Sequence, residues 1–549
     1  MNYLTFSVQC FVSDTVSSYF GEISHPADID DHHATGALIM RFKYLLCRML
    51  CVTTACLSGG FAASLIQAAE LLTIRAGTGR ADITNREAGP VNDTLYAKAL
   101  VLDDGSKRAV IITIDAVAIA QIGSIRNTYL AEVRKRLAEE CQISPDQVMI
   151  NASHCHGIVC ADIEDRTVKA VKSAIAALEP VKIGVGKGFE NRVSENRRMK
   201  LKNGREADVR HAYSLPFDDK VAEAGPIDPE IGILKLDRLN GSTLAVLYNF
   251  AVHPIQGVPD GSNTADLSGF ASRAIEESLG KNATALFIQG CAGDINPVRY
   301  KDVHNPRDAE QPGSLLGLSV LKALAGIKTR EVPSYRMVRE SLLLPRSNLK
   351  PTIESLENQR DSEVNKLAGT SLNFKTYMQL AAKYNVSPEF PSADAATYMH
   401  QKSIGRNHLE SHDKSNLKNM ADYLRNIETM ENLTRIQTNI ALLKMHQGQN
   451  EAAGFNPLEV EMVGLRIDDF LMVTFPGELT VRIGLGLKKN SPVKNTFIAG
   501  YTNGYIYYAP TEEQLKNVGW AQEDSDCVLA PGWQNLFEQK ARKMIDLLK

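Results

Sequence analysis

The sequence predicts an α/β fold of mixed sheets with flanking helices. Short apolar runs alternate with amphipathic stretches along most of the chain. Turn signals, Asp103-Asp104-Gly105 and Asn240-Gly241, separate paired runs. Several apolar runs also stop at chemically loaded segments, the richest being Asn151-Ala152-Ser153-His154-Cys155-His156-Gly157. At 549 residues, with 44% hydrophobic and 23% charged, the chain is globular in composition and long enough for a sizeable core. A net charge of -3, with no basic stripe interleaved with aromatic residues, argues against nucleic acid as a partner.

Residues 1–39 lack periodicity, carry the acidic, His-bearing patch Asp28-Ile29-Asp30-Asp31-His32-His33, and read as disorder ahead of a start at Met40. Residues 40–69 combine a basic opening, Met40-Arg41-Phe42-Lys43, with an apolar run and a small-residue end at Ala68-Ala69. That is the pattern of a secretory signal peptide, with a membrane anchor as the alternative, and it predicts a secreted or periplasmic protein. No other stretch is long and apolar enough to span a bilayer. Cleavage would leave Cys141, Cys155, Cys160, Cys291 and Cys527, an odd and sparse set that makes no disulfide framework and leaves one bridge open.

The remainder, 70–549, reads as one catalytic domain with a polar helical insertion at about 348–450. Strands are predicted over 97–102 and 109–114, then a helix over 124–141 and a strand over 147–150 that runs into His154. A helix over 165–178 and a strand over 181–185 precede a long loop, 190–228. The strand pair 231–236 and 243–250 leads into Ala251-Val252-His253-Pro254. A helix over 269–279 and a strand over 283–289 end at the loop Gly290-Cys291-Ala292-Gly293-Asp294-Ile295-Asn296-Pro297, and a helix follows near 314–325. The insertion's histidines, His400, His408, His412 and His446, are expected at the surface. Beyond it, strand 470–474 stops at Phe475-Pro476-Gly477-Glu478, helix 479–487 follows, strand 496–499 runs into a tyrosine-rich segment, and helix 534–548 closes the chain.

Familiar motifs are missing: no Gly-x-Ser-x-Gly, His-Glu-x-x-His, phosphate loop or Gly-x-Gly-x-x-Gly. What remains is a set of strand-end groups: His154 and His156, His253, Glu478, and the tyrosines Tyr505, Tyr507 and Tyr508. Histidines at i and i+2 of an extended segment share a side, and Cys155 between them faces the other way. A catalytic zinc takes about three protein ligands and keeps a position open. Each group also has a plain alternative: a capped core histidine for His253, a dipole-favoured helix N-terminal carboxylate for Glu478, and a packing patch for the tyrosines.

The stretches GTGRADIT, NASHCHG, ENRR, FAVHP, QGCAGDINP, FPGE and GYTNGYIYYAPTEE together resemble the neutral/alkaline, non-lysosomal ceramidase family, from about Ala76 to the C-terminus except for the insertion. The resemblance implies a zinc hydrolase domain with Zn2+ on His154, His253, Glu478 and a tyrosine. The tyrosine is taken as Tyr508, from alignment on Ala509-Pro510-Thr511, with Tyr507, counted back from Glu512-Glu513, as the alternative. His156 and Arg197 match family residues near the scissile amide, although Arg197 also reads as a surface residue in the run Arg197-Arg198-Met199-Lys200. Asn296 stands where ceramidases carry a serine, and the family's small C-terminal Ig-like β-sandwich is expected to be absent. Asp266 and Asp294 read as supporting or turn residues.

The function implied is a secreted zinc-dependent amidohydrolase that cleaves the N-acyl amide of ceramide or a related lipid with a metal-activated water. Peripheral membrane contact would follow from such a substrate. Asn296 offers no hydroxyl nucleophile, so no acyl-enzyme is expected. The alternatives are a zinc hydrolase of another amide or ester, and a non-catalytic lipid- or carbohydrate-binding protein.

Overall fold

A computed structural model describes residues 73–209, 216–280, 282–300, 302 and 304–549, so the readings made on 1–69 lie outside the described residues. The chain enters through an antiparallel meander, β1 (Arg75–Asp82), β2 (Tyr96–Asp103) and β3 (Arg108–Ile114). Helix α1 (Tyr129–Cys141) crosses to β4 (Val148–Ala152), which lies parallel to β3. Helix α2 (Ile163–Ala176) leads to β5 (Glu179–Phe189). Four short strands follow, β6 (Ser194–Asn196), β7 (Arg198–Leu201), β8 (Glu206–Asp208) and β9 (Val221–Ala224), then β10 (Glu230–Arg238) and β11 (Thr243–Phe250). Helix α3 (Asp266–Leu279) returns the chain to β12 (Thr284–Gln289), parallel to β11, before β13 (Ile295–Pro297) and α4 (Glu310–Leu324). Eight of these strands form one sheet in the order β12-β11-β10-β5-β1-β2-β3-β4.

A second sheet starts with β14 (Tyr335–Leu344). The insertion comes next: α5 (Lys350–Lys366), α6 (Phe374–Val386), α7 (Ala395–Ser403) and the long α8 (His408–Ala452). Then come β15 (Leu458–Ile467), β16 (Phe470–Thr474), β17 (Glu478–Leu479), α9 (Val481–Asn490), β18 (Thr496–Ala499), β19 (Tyr508–Ala509), α10 (Gln522–Ser525) and α11 (Trp533–Leu548). The four-stranded order is β14-β15-β16-β18, with β16 and β18 parallel.

The layering follows from the side-chain period of two. In β2, Ala97, Ala99 and Val101 face a core shared with Val133 of α1, Val171 of α2, Ile275 of α3 and Leu316 of α4. Leu100 and Leu102 face the opposite core, shared with Met337, Val463, Leu465, Met472 and Phe497 of the second sheet. The far side of that second sheet packs on α9 and α11 through Ile483, Leu487, Phe537 and Met544. Helices, two sheets and helices therefore stack in that order. Strands buried on both faces read as continuous apolar runs, which is why they were legible.

Two predicted elements differ. The first helix begins at Tyr129 rather than Ser124, because the Asn127 side chain accepts the Gln121 backbone N–H at 2.7 Å and competes with helical pairing. The stretch 190–228 is not a plain loop: β7 joins β8 and β9 in a small sheet. Buried charge orders it, with Arg198 bonded to Glu206 at 2.7 Å and to Asp524 at 2.8 and 3.0 Å, and charge pairing leaves no hydrophobic period to read. The five cysteines among the described residues, Cys141, Cys155, Cys160, Cys291 and Cys527, are free, so no bridge forms among them. Among the described residues, no helix is long and apolar enough to cross a membrane.

Candidate metal centre

The carboxyl ends of β4, β11, β16 and β18 point to one place, the common location of ligand sites in α/β sheets. His154, His253, Glu478 and Tyr501 each follow one of these ends within four residues. Polar residues closing apolar strands tie the ends together. Gln289, last in β12, donates from its side-chain amide to the Ser153 carbonyl at 3.0 Å and the Val252 carbonyl at 2.7 Å, clamping both histidine loops. Asn151 accepts the Gln289 N–H at 2.9 Å and donates to the Gly500 carbonyl at 2.8 Å. Asp266 holds the loop after His253 by accepting the Gln256 and Gly257 N–H groups at 3.2 and 2.6 Å.

His154, His253 and Glu478 are all buried, with ligand atoms within 4.8 Å of one another, close enough for all three to hold one metal ion. The tautomers follow from the neighbours. His253 Nδ1 faces the Ile295 carbonyl at 3.0 Å and His154 Nδ1 faces the Val117 carbonyl at 2.6 Å. A carbonyl only accepts, so each Nδ1 carries the proton and each Nε2 presents a lone pair. These lone pairs face the Glu478 oxygens at 3.1 Å for His253 and 3.5 Å for His154. His253 Nε2 has no hydrogen-bond partner among the described residues. Buried acceptors facing one another favour a positive charge between them, and two imidazoles with one carboxylate form a group that could hold a metal ion such as zinc.

The electrostatics agree. Burial, with the Arg197 charge adding to it, pushes the His253 imidazole down to about 3. Against the upward push of burial, His154, His253 and the Tyr505 hydroxyl hold the Glu478 carboxyl below the usual carboxylate range. Burial and the Glu478 charge push the Tyr501 and Tyr505 phenols well above their ordinary value. Both therefore stay protonated and donate to Glu478, Tyr501 at 3.1 Å to one oxygen and Tyr505 to the other.

The histidine pair does not share a strand face as expected. Strand β4 ends at Ala152, and His154 sits at a left-handed φ of +69°. That turn drives His154 inward and leaves His156 exposed at the mouth, ring centroids 5.7 Å apart. Cys155 is buried in the helix-side core, as its place between them predicted.

Both histidines line a cavity of about 420 Å³ together with Arg197, His253, Glu478, Tyr505, Tyr507 and Tyr508. Arg197 is not a surface residue; it is fully buried, donating from Nε to Glu523 at 2.6 Å, from Nη1 to the Asn296 side-chain oxygen at 3.2 Å, and from Nη2 to the Tyr508 hydroxyl at 3.2 Å and to the Gly293 carbonyl. Asn296 lies behind it on β13, and Asp294 spans to the start of α9, accepting the Val481 N–H at 2.7 Å. β17 pairs with β19 so that Glu478 stands opposite Tyr508, whereas the Tyr507 hydroxyl takes a hydrogen bond from Gln449 of α8 at 3.0 Å.

Of the insertion's histidines, His400, His408 and His412 are exposed, but His446 is fully buried and meets Asp526 at 2.7 Å. The C-terminal half of α8 packs inward through Ile436, Ile440 and Leu443 against Ile353 and Leu356 of α5, and this carries His446 with it. Gln289, Asn151, Tyr501, Glu523 and the His446–Asp526 pair escaped the sequence reading. A polar residue closing an apolar strand flags Asn151 and Gln289; nothing local flags the others. A larger cavity of about 700 Å³ lies beside Lys98 and Glu276, but those charges are paired with each other at 2.6 Å.

The layered fold and this cluster define a class: an α/β sandwich with a buried His-His-Glu group where its parallel strands end. Within that class, the chain has the neutral ceramidase fold. The neutral ceramidase of Pseudomonas aeruginosa matches with a TM-score of 0.54 and 17% identity over 87% of this chain and 75% of that one. A ceramidase complexed with C2 matches with a TM-score of 0.54 and 17% identity over 86% and 75%. No protein-family model matches the chain.

Proposed function

We propose that this chain is a secreted zinc-dependent amidohydrolase that cleaves the N-acyl amide of ceramide or a related lipid. The observation that carries the reading is the pair of buried imidazoles whose Nε2 lone pairs face Glu478, set in a fold shared with ceramidases. His154, His253 and Glu478 would hold the zinc, with Tyr508, registered opposite Glu478, as the fourth ligand. When bound, zinc acts as a Lewis acid and lowers the pKa of water to about 7.

The chain's own groups do the rest. Tyr501 and Tyr505 orient the Glu478 carboxylate. Arg197 holds the Tyr508 hydroxyl and brings positive charge to the cavity wall, where negative charge gathers on the carbonyl oxygen as water adds to the carbon. His156, at the mouth, takes a proton from the attacking water and gives it to the departing amine as the C–N bond breaks. Asn296 provides no nucleophilic oxygen, so water attacks directly and the products are a fatty acid and an amine.

The test is zinc content by elemental analysis together with release of labelled fatty acid from a short-chain ceramide. About one zinc per chain and steady release are expected. A metal-free protein that releases nothing would sink the reading, and a burst of product equal to enzyme would rule out direct attack. A second reading, hydrolysis of a different amide or ester, is favoured by Asn296 in place of a serine; zinc with no release from ceramide would select it.

A further inference from the structure

The cavity contains a group that this chemistry leaves unused, held from behind by helix α8. Asp526 lines the same wall as Met445 and Tyr507. His446 Nε2 holds its Oδ1 at 2.7 Å. The other ring nitrogen of His446 meets the Gln449 side-chain oxygen at 3.0 Å, and the Gln449 amide donates to the Tyr507 hydroxyl at 3.0 Å. The Tyr507 ring closes on the His446 imidazole edge to face, centroids 4.6 Å apart, from a backbone held at φ +66°. His446 and Gln449 stand three residues apart, so one face of α8 presents both.

The His446 side chain is fully buried, whereas that of Asp526 keeps 14% of its surface exposed. Among the described residues, no hydrogen bond reaches Asp526 Oδ2. The Asp526 carbonyl accepts the Tyr508 N–H at 3.1 Å, which fixes the carboxylate beside the candidate metal centre. It does not belong to the group formed by His154, His253 and Glu478.

A carboxylate held by one oxygen and open at the other only accepts hydrogen bonds. Covering its open oxygen with an apolar ligand would leave that oxygen without a hydrogen-bond donor, which is costly. We propose that Asp526, positioned by His446, binds a hydrogen-bond donor on the substrate, an ammonium or hydroxyl carried beside the scissile bond. The site thereby selects N-acyl compounds with a polar amine half over plain N-alkyl amides. The scissile bond rests on the hydrolase reading above; recognition of the amine half does not. Asp526 touches the substrate in this scheme, and His446 is a positioning residue.

The experiment is calorimetric titration of the zinc-loaded full chain with four probes sharing an octyl chain: a 2-amino-1,3-diol, the amine alone, the 1,3-diol alone and the dimethyl ether of that diol. At least one donor-bearing probe should bind about tenfold or more tighter than the ether. The amine and diol arms tell ammonium from hydroxyl recognition. Asp526→Ala should abolish the preference and His446→Gln should reduce it, with zinc content and urea midpoint as controls for folding. A merely structural His446 would leave the ratio between probes unchanged. Should Asp526→Ala fail to fold, Asp526→Asn keeps the shape, loses the charge, and should bind the amine more weakly. The proposal is overturned by equal preference in the wild type and Asp526→Ala, or by no preference at all. Cleavage of the matching N-octanoyl amide is followed in parallel. Preference without cleavage keeps Asp526 and rejects the hydrolase; cleavage without preference does the opposite.

Discussion

The cavity has two walls built in different ways. On one side, strand ends deliver His154, His253 and Glu478: the left-handed turn at His154 and the carbonyls behind both Nδ1 atoms set the histidines, the Gln289 and Asn151 side chains clamp their loops to backbone groups, and the Tyr501 and Tyr505 hydroxyls hold Glu478. On the other side, one helix of the insertion brings Met445 to the wall and places His446 and Gln449 behind Asp526 and Tyr507, through side-chain packing and side-chain hydrogen bonds. The first wall is anchored in two packed sheets, whereas the second depends on the docking of α8; the proposals above put the chemistry on the first wall and the selectivity on the second.

The contrast can be broken experimentally, beginning with the largest effect. His154→Ala or His253→Ala should lose the zinc and lower activity by more than about 10³-fold, beyond the usual loss of a single donor; elemental analysis and fatty-acid release check it. His156→Ala should keep its zinc and lose about 10²–10³ in rate. Equal zinc loss in both would erase the division between a metal-facing and a substrate-facing histidine.

Glu523→Gln removes the charge paired with buried Arg197 at 2.6 Å and with Arg198 at 3.2 Å. It should cost about 3–5 kcal/mol in urea unfolding. A smaller change would mean that Arg197 finds enough compensation in Tyr508 and Asn296. Gln289→Met keeps the volume but cannot donate to Ser153 and Val252. Zinc affinity should weaken about 10–100-fold by competition with a chelator, and an unchanged affinity would show that the β4 and β11 ends hold their loops without the clamp.

Legibility divided along the same line. The His154, His253 and Glu478 positions were readable because each follows an apolar strand, and a strand buried on both faces announces itself as a continuous run. Arg197 was ambiguous, since a basic run looks the same on a surface as in a buried charge network; Glu523 and Asp524, more than 300 residues downstream, decide between them. His446 was misread for a related reason. Helix α8 is polar along most of its length, and only its C-terminal half packs inward on Ile353 and Leu356.

Sequence alone determined the α/β class, the strand-end positions of His154, His253 and Glu478 and the helical character of 348–450. These depend on local periodicity and on short motifs. Tertiary structure alone decided which of the paired histidines turns inward, that Arg197 is buried against Glu523, and that His446 reaches Asp526. Each of these is a contact between residues distant in the chain, or a backbone turn that only the surrounding packing enforces. Pairwise placement of that kind leaves no period for a single sequence to display.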